Sequence, residues 1–318
     1  TMACASNASH TPIFLLVGLW KGGPPNSLLF LLFLTAYMGA MVGNLTLVLL
    51  ISWDSRLSTP MYYLLRGLSV IDTGLATVTL PQVLAHLASA QPAIPAIRCL
   101  LQFFFFYVFG VTDTLVVAVM AVDRYVAICN PLHYPAVMNQ QVCGRLLASC
   151  WTVSFIHSLL HVGLLFPLQW TGDNEGVVYL PHFFCDHRPL LKASCSDTKP
   201  NELAIFLEGG LLMMGPCILI LLSYARIAIT ISRLPSAAGR KKAFSTCGSH
   251  LTMVTFLYGT IIWVYFQPPS QNSQQQDMAA AVMYTAITPL ANPFVYSLRN
   301  KDVKGAFQRL LVPNRVTS

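Results

Sequence analysis

The sequence predicts an all-α membrane protein, a bundle of seven transmembrane helices followed by a short amphipathic helix lying on the membrane surface. Composition is the first observation: of 318 residues, 55% are hydrophobic and only 10% charged, with mean hydropathy +0.59, a balance that a water-exposed surface does not tolerate. The second is a series of apolar runs at 26–52, 61–84, 99–122, 143–167, 203–231, 249–267 and 278–298, each close to the roughly 20 residues that cross a hydrocarbon core. The third is the distribution of Lys and Arg. Arg56, Arg66, Arg124, Arg145, Arg226, Arg233, Arg240, Lys241, Lys242, Arg299, Lys301, Lys304, Arg309 and Arg315 fall on one side of those runs, against Lys21, Arg98, Arg188, Lys192 and Lys199 on the other. Basic loops stay in the cytoplasm, so the N-terminus (1–25) is expected outside, the bundle occupies 26–298, and the tail (299–318) is cytoplasmic. The whole is one domain. The net charge of +7 then reflects topology and attraction to lipid headgroups, and no basic groove with interleaved aromatics suggests nucleic acid.

Taken in order, Asn7-Ala8-Ser9 is a glycosylation sequon in the outer segment, which makes Asn7 an expected glycan site. Gly22-Gly23-Pro24-Pro25 breaks the chain ahead of the first span. No basic segment with a short apolar core and a small-residue cleavage site is present, so the first span is expected to serve as the insertion signal. A second sequon at Asn44-Leu45-Thr46 lies inside that span, where no glycan can be attached. Ser58-Thr59-Pro60 opens the second span, proline costing little at a helix start. Asp72 and several threonines dilute this span. The third is apolar from Leu100 to Val122 apart from Asp113. The longest outer loop, about 170–199, is polar, holds Cys185 and Cys195, and is expected to form a lid. In 301–311, KDVKGAFQRLL alternates basic and apolar residues at helical spacing, as an interfacial helix does.

The most informative stretch is MAVDRYVAICNPLHY, residues 120–134. Asp123 and Arg124 close the third apolar run, where charge is expensive. An adjacent acid can hold an arginine until another contact outcompetes it, which makes a two-state device. Alone, such a pair is more often a solvated interfacial ion pair. Its place at the inner end of the third of seven spans favours the switch.

With that topology, DRY at 123–125 resembles the rhodopsin-like G-protein-coupled receptors, as does Asn292-Pro293-Phe294-Val295-Tyr296, similar to their NPxxY. Asn44, Asp72, Trp151 and Pro216 stand where that family has markers in four other spans. The longer strings MAVDRYVAICNPLHYP, KAFSTCGSHL (242–251), PMYYLL (60–65), HFFCD (182–186), SCSDT (194–198) and PFVYSLRN (293–300) resemble odorant receptors, specifically the larger, tetrapod-type class. The resemblance covers essentially the whole chain. It implies a receptor in the plasma membrane that binds small hydrophobic volatile odorants and activates a stimulatory olfactory-type G protein, raising cyclic AMP.

The resemblance also assigns residues. Five cysteines, Cys129, Cys143, Cys150, Cys217 and Cys247, fall in spans or inner loops, where thiols stay reduced. The family pairing implies a Cys99–Cys185 disulfide pinning the lid over the bundle mouth. The cysteine that usually partners the one in SCSDT is here Glu175, so Cys195 is expected to be a free thiol, with a bridge to Cys4 as the alternative. Phe106, Tyr107, Gly110, Val111 and Thr114 recur at three- and four-residue spacing and share one helix face, a stripe that by itself more often signals packing. The family places a ligand pocket there, adding Ser158, Glu208, Leu212, Tyr258, Ile261, Ile262, Tyr265 and Thr285, a mostly apolar wall with a few hydroxyls. Glu208 either holds an amine or stays at the helix end in water. Asp72 and Asp113, juxtaposed by resemblance below the pocket, would share a proton or hold a sodium ion. Asp113 stands where the usual residue is glutamate, and its shorter side chain weighs against direct bridging. The inner switch is assigned to Asp123, Arg124, Tyr125, Tyr224, Lys242, His250, Asn292, Pro293 and Tyr296, with Tyr224 and Tyr296 offering hydroxyls to Arg124 once the sixth helix moves outward.

His182, Cys185, Asp186 and His187 mimic a copper or zinc set, but Cys185 is committed to the bridge, so no metal is assigned there. His157 and His161 share a helical face and read as packing or hydrogen-bonding residues. An enzyme is disfavoured because no HExxH, nucleophile elbow or phosphate-binding glycine loop appears. A small-molecule transporter is the alternative reading, disfavoured by the lack of an internal repeat.

Overall fold

The computed structural model describes residues 3–4, 12–17, 27–88, 93–172, 177–265 and 273–311. In chain order these form β1 (Ala3–Cys4), β2 (Ile13–Leu16), α1 (Ser27–Trp53), α2 (Pro60–Ala88), β3 (Ala93–Pro95), α3 (Ala96–Cys129), α4 (Tyr134–Val137), α5 (Gln140–Leu165), β4 (Thr171–Gly172), β5 (Val177–Leu180), α6 (His187–Lys192) and α7 (Lys199–Ala204). The chain continues through a π turn (Ile205–Gly209) into α8 (Gly210–Ser232), then α9 (Ala237–Tyr265) and α10 (Ser273–Val282). A second π turn (Met283–Ile287) leads into α11 (Thr288–Arg299) and α12 (Lys301–Leu311). Asn7, the Gly22–Pro25 break, Glu175, the third outer loop and the side chains of Lys242, Ile261, Ile262 and Tyr265 lie outside the described residues.

Among the described residues, six segments are long and apolar enough to cross a membrane: α1, α2, α3, α5, α7 with α8, and α10 with α11. The seventh, α9, packs against α3, α8, α10 and α11. At 29 residues it runs about 43 Å, beginning some turns before the apolar run at 249, so Arg240 and Lys241 stand on the helix rather than in a loop. The other spans and the interfacial helix match their expected ranges to within about four residues, except α3, which runs on past 122 to Cys129 and carries Asp123, Arg124 and Tyr125 within the helix.

The first helix shows why these sequences make a bundle. Phe33, Ala36, Ala40, Asn44, Leu47 and Ile51 recur every three or four residues and are buried, one face against α2 and α11. Leu28, Leu31, Leu32, Met38, Val42, Leu45 and Leu49 are exposed, as suits a surface whose solvent is lipid. Small residues let backbones approach. A Cβ on Gly43 would sit 2.7 Å from Pro293 Cγ, and one on Gly74 would collide with the Phe109 ring. The Asn44 amide donates to Ala40 and Pro289 carbonyls at 2.9 Å, tying α1 to the helix that carries Pro293, and Asn44 itself is fully buried.

At the mouth of the bundle opposite the basic loops, the all-helical expectation is incomplete. A three-stranded sheet of order β3-β2-β5 pairs β2 antiparallel with β3 and parallel with β5, and β1 pairs with β4. The N-terminal segment is thus part of the lid. Phe14 and Leu16 point into a cluster with Phe103, Trp170, Leu180 and Leu190, the alternation of a half-buried strand. The Cys99–Cys185 disulfide closes an 86-residue separation beneath it.

Candidate functional site

At the lidded end, α3 presents an aromatic face. Phe106 lies 4.8 Å from Phe184 and 5.8 Å from Tyr284, centroid to centroid. Tyr107 donates to Asp186 Oδ1 at 2.6 Å and stacks edge-on to His187 at 4.6 Å. Asp186 also caps α6, accepting from the His187 amide at 2.8 Å. Burial pushes the His187 imidazole down to about 3, against the pull of Asp186, so it is neutral at physiological pH.

The remaining pocket candidates divide. A Cβ on Gly110 would meet open space, as a cavity wall requires. Thr114 and Thr285 are buried but donate to carbonyls of their own helices, at 3.1 Å to Gly110 and 2.6 Å to Ala281. Ser158 and Tyr258 carry buried hydroxyls that find no partner among the described residues, and Val111 and Leu212 are half-buried. A cleft of about 360 Å³ lies elsewhere, on the lateral surface between α1, α2 and α5, lined among others by Ser52, Tyr63, Arg66, Leu147 and Trp151. None of the candidate ligand residues lines it.

Glu208 is not alone and not at a helix end, since α7, the π turn and α8 are continuous, although its side chain is 41% exposed. The π turn places its carboxylate 3.2 Å from His157 Nδ1 and 3.7 Å from His161 Nε2, so the acid is already engaged by α5. The two histidines are hydrogen-bonding residues, as their shared face suggested, with Glu208 and His187 as partners; which partners they meet was not legible, because a π turn from another helix is invisible to spacing on their own. Of the set His182, Cys185, Asp186 and His187, Cys185 is in the disulfide, as expected, and Asp186 is shared between Tyr107 and the α6 cap.

In the core, Asn292 donates to Asp72 Oδ2 at 2.6 Å. The other oxygens of Asp72, Asn292 and Asn44, and one of Asp113, are buried without a partner among the described residues.

At the basic end, Arg124 Nε donates to Asp123 Oδ2 at 2.9 Å, with a second bond from Nη2. Tyr134 of α4 donates to the other carboxylate oxygen at 2.8 Å. Asp123 is fully buried and Arg124 is 7% exposed, so this is no solvated pair. His250 Nε2 faces the Val117 carbonyl at 3.0 Å and must donate, which leaves Nδ1 to accept from Tyr224 Oη at 2.5 Å. Tyr224 is therefore occupied by α9 while Arg124 is occupied by Asp123. The Tyr296 hydroxyl is buried without a partner among the described residues, Tyr125 is half-buried against the central core, and Pro293 is buried in α11. Tyr134 is the contributor that motif reading missed, since nothing in NPLHY shows that the loop folds back as a helix.

The cysteines correct one expectation. Cys129, Cys143, Cys150, Cys217 and Cys247 are free thiols, but Cys195 is disulfide-bonded. The free-thiol reading assumed a flexible N-terminal tail. Instead β1 sets Cys4 opposite Thr171, whose hydroxyl lies 3.6 Å from Cys195 Sγ.

A family model described as olfactory receptor matches residues 33–314. The chain is 72% identical over 310 residues to olfactory receptor 1B1 of Homo sapiens, covering 98% of each. It is 47% identical to olfactory receptor 1M1 of Mus musculus, covering 96% of each chain, and 47% identical to olfactory receptor 1f45 of Rattus norvegicus, covering 96% of this chain and 97% of the relative.

Proposed function

The chain belongs to the olfactory receptor family, a multi-pass membrane receptor and not an enzyme, and on that premise we propose that it signals small hydrophobic odorants to a stimulatory olfactory-type G protein. The observation that carries the reading is the buried Asp123–Arg124 pair, closed by Tyr134, facing the Tyr224–His250 pair across the basic end of the bundle. A buried ion pair contributes little net stability but is costly to break one-sidedly, which suits a latch whose arginine is released only into new partners. Tyr224 and Tyr296 supply those hydroxyls when α9 swings outward, opening a groove for a helix of the G protein. The basic loops orient this end to the cytoplasm, with the N-terminus outside.

The odorant occupies the space beside Gly110, walled by Phe106, Tyr107, Val111, Leu212 and Tyr258, with Ser158 supplying an uncommitted hydroxyl. Its affinity comes chiefly from buried apolar area, so tuning is broad. Arg124→Ala is expected to abolish odour-evoked cyclic AMP with surface expression retained, and unaltered signalling would refute the latch. The unpaired buried oxygens of Asp72, Asp113 and Asn292 suit a sodium ion, which would neutralise the acids in the inactive bundle. Replacing external and internal sodium with choline should change basal cyclic AMP in the wild type but not in Asp113→Asn. Equal responses in the two would remove the ion.

A further inference from the structure

The two histidines on one face of α5 and the acid on the π turn before α8 form a cluster that odorant recognition by an apolar wall does not use. One donor atom from each of the three lies within 4.8 Å of the other two. His157 and His161 are one helical turn apart, so their rings share a face, with centroids 4.4 Å apart. Glu208 reaches them from the neighbouring helix. In a tetrahedral site with zinc about 2.0–2.1 Å from imidazole nitrogen and about 2.0–2.2 Å from carboxylate oxygen, neighbouring donors stand about 3.3–3.5 Å apart. The two separations from Glu208 Oε2, 3.2 Å to His157 Nδ1 and 3.7 Å to His161 Nε2, bracket that value, and the two histidine donors stand within 4.8 Å of each other.

A second observation points the same way. His161 is 1% exposed, yet its Nε2 finds no hydrogen-bond partner among the described residues, a cost that buried polar atoms normally avoid. Its other nitrogen, Nδ1, lies 3.1 Å from His187 Nε2. That is the arrangement of a metal-binding histidine: one ring nitrogen held by an outer partner that fixes tautomer and orientation, the other left for the ion. Glu208 is 41% exposed, so a fourth coordination position is open to a water or a ligand donor.

We propose that His157, His161 and Glu208 form a divalent transition-metal site, with zinc as the ion that best matches two imidazoles and a carboxylate, and with His187 as the positioning residue for His161. Coordination neutralises the Glu208 carboxylate within the span and ties α5 to the segment leading into α8. The ring face of Tyr107, 6.2 Å from His157, puts the metal beside the aromatic wall, where the open position can take a heteroatom donor.

The test uses the full-length receptor in lipid nanodiscs, stripped with chelator and titrated with Co²⁺, whose visible absorption reports four-coordinate geometry. One equivalent is expected to give that spectrum and to be displaced by Zn²⁺. Glu208→Gln, which keeps the shape of a partly exposed side chain, should lose the spectrum. His187→Ala should keep it while weakening Co²⁺ affinity by roughly 10–100-fold, an effect a merely structural histidine would not have. Thermal unfolding of each variant without metal establishes that it is folded. The proposal is overturned if the wild type binds no stoichiometric Co²⁺, or if Glu208→Gln binds it with unchanged spectrum and affinity. Odour-evoked cyclic AMP is measured separately, so loss of metal binding and loss of receptor function are distinguishable.

Discussion

His182 illustrates how a single side chain acquires a role from its surroundings. It is buried at 4% exposure, stacked on Phe183, and its Nδ1 accepts from the Phe184 amide at 3.4 Å. Burial holds the imidazole below its ordinary value of 6.5, with Asp186 pulling weakly the other way. The folded lid therefore binds fewer protons than the unfolded chain between that lowered value and 6.5, and stability rises with pH across the window. Acidification below about 6.5 is expected to lower the melting temperature of the purified receptor. His182→Asn should lessen the dependence without abolishing it, because His187, also held low by burial, contributes with the same sign; an unchanged slope would show that His182 does not contribute. The Asp123–Arg124 adjacency could be read from sequence, but whether it was a solvated pair or a latch depended on burial, which the chain acquires only when α4 and Tyr134 fold over it. His250 was assignable to the inner cavity only by resemblance. Its tautomer follows from two contacts on two other helices.

At the scale of elements, α12 shows how far amphipathic pattern carries. KDVKGAFQRLL marks a helix over 301–311, and the structure forms one over the same residues with Val303 and Ala306 buried. What holds it is tertiary. Arg309 Nε donates to Asp54 Oδ2 at 3.0 Å, and Tyr62 bonds Asn300 and Asp302 at 3.1 Å. The Arg309 hydrogen bond keeps the Asp54 carboxyl below the ordinary carboxylate range. Exposed pairs contribute on the order of 0.2–1 kcal/mol, so Asp54→Asn should speed amide exchange in 301–311 by about 1.4- to fivefold without altering α1. Unchanged exchange would leave Tyr62 and packing as the anchor. The two π turns were illegible in sequence. A π turn adds a residue to a helix without changing hydropathy, and these two carry Glu208 and Thr285.

At the scale of the molecule, the lid is a joint product of distant segments. The N-terminal strand β2 lies between β3 and β5, Cys185 is tied to Cys99, and Arg188 pairs with Asp277 of α10 at 3.3 Å. Closing a loop of this length removes roughly 4–5 kcal/mol of chain entropy from the open ensemble, so the bundle mouth is covered by construction. The bonded state of Cys195 extends the same design to the N-terminus. Alkylation of the intact receptor without reduction should leave Cys195 unmodified, and peptide mapping should recover it cross-linked to Cys4. Recovery of alkylated Cys195 would restore the free-thiol reading.

Hydrophobic run length and loop charge are local properties set by the thickness and surface charge of the bilayer, so the sequence alone determined the number of spans and the interfacial helix, and predicted a topology. Motif and spacing likewise located the Asp123–Arg124 pair and the third-helix face at Phe106–Thr114, while the Cys99–Cys185 bridge was implied by the resemblance to odorant receptors. Tertiary structure decided what no window of sequence contains: the strand pairing of the N-terminus, the engagement of Cys195, the burial of the ion pair beneath Tyr134, and the meeting of Glu208 with His157 and His161. The physical reason is common to all four. Each depends on atoms contributed by segments far apart in the chain, and their distance is set by packing rather than by spacing.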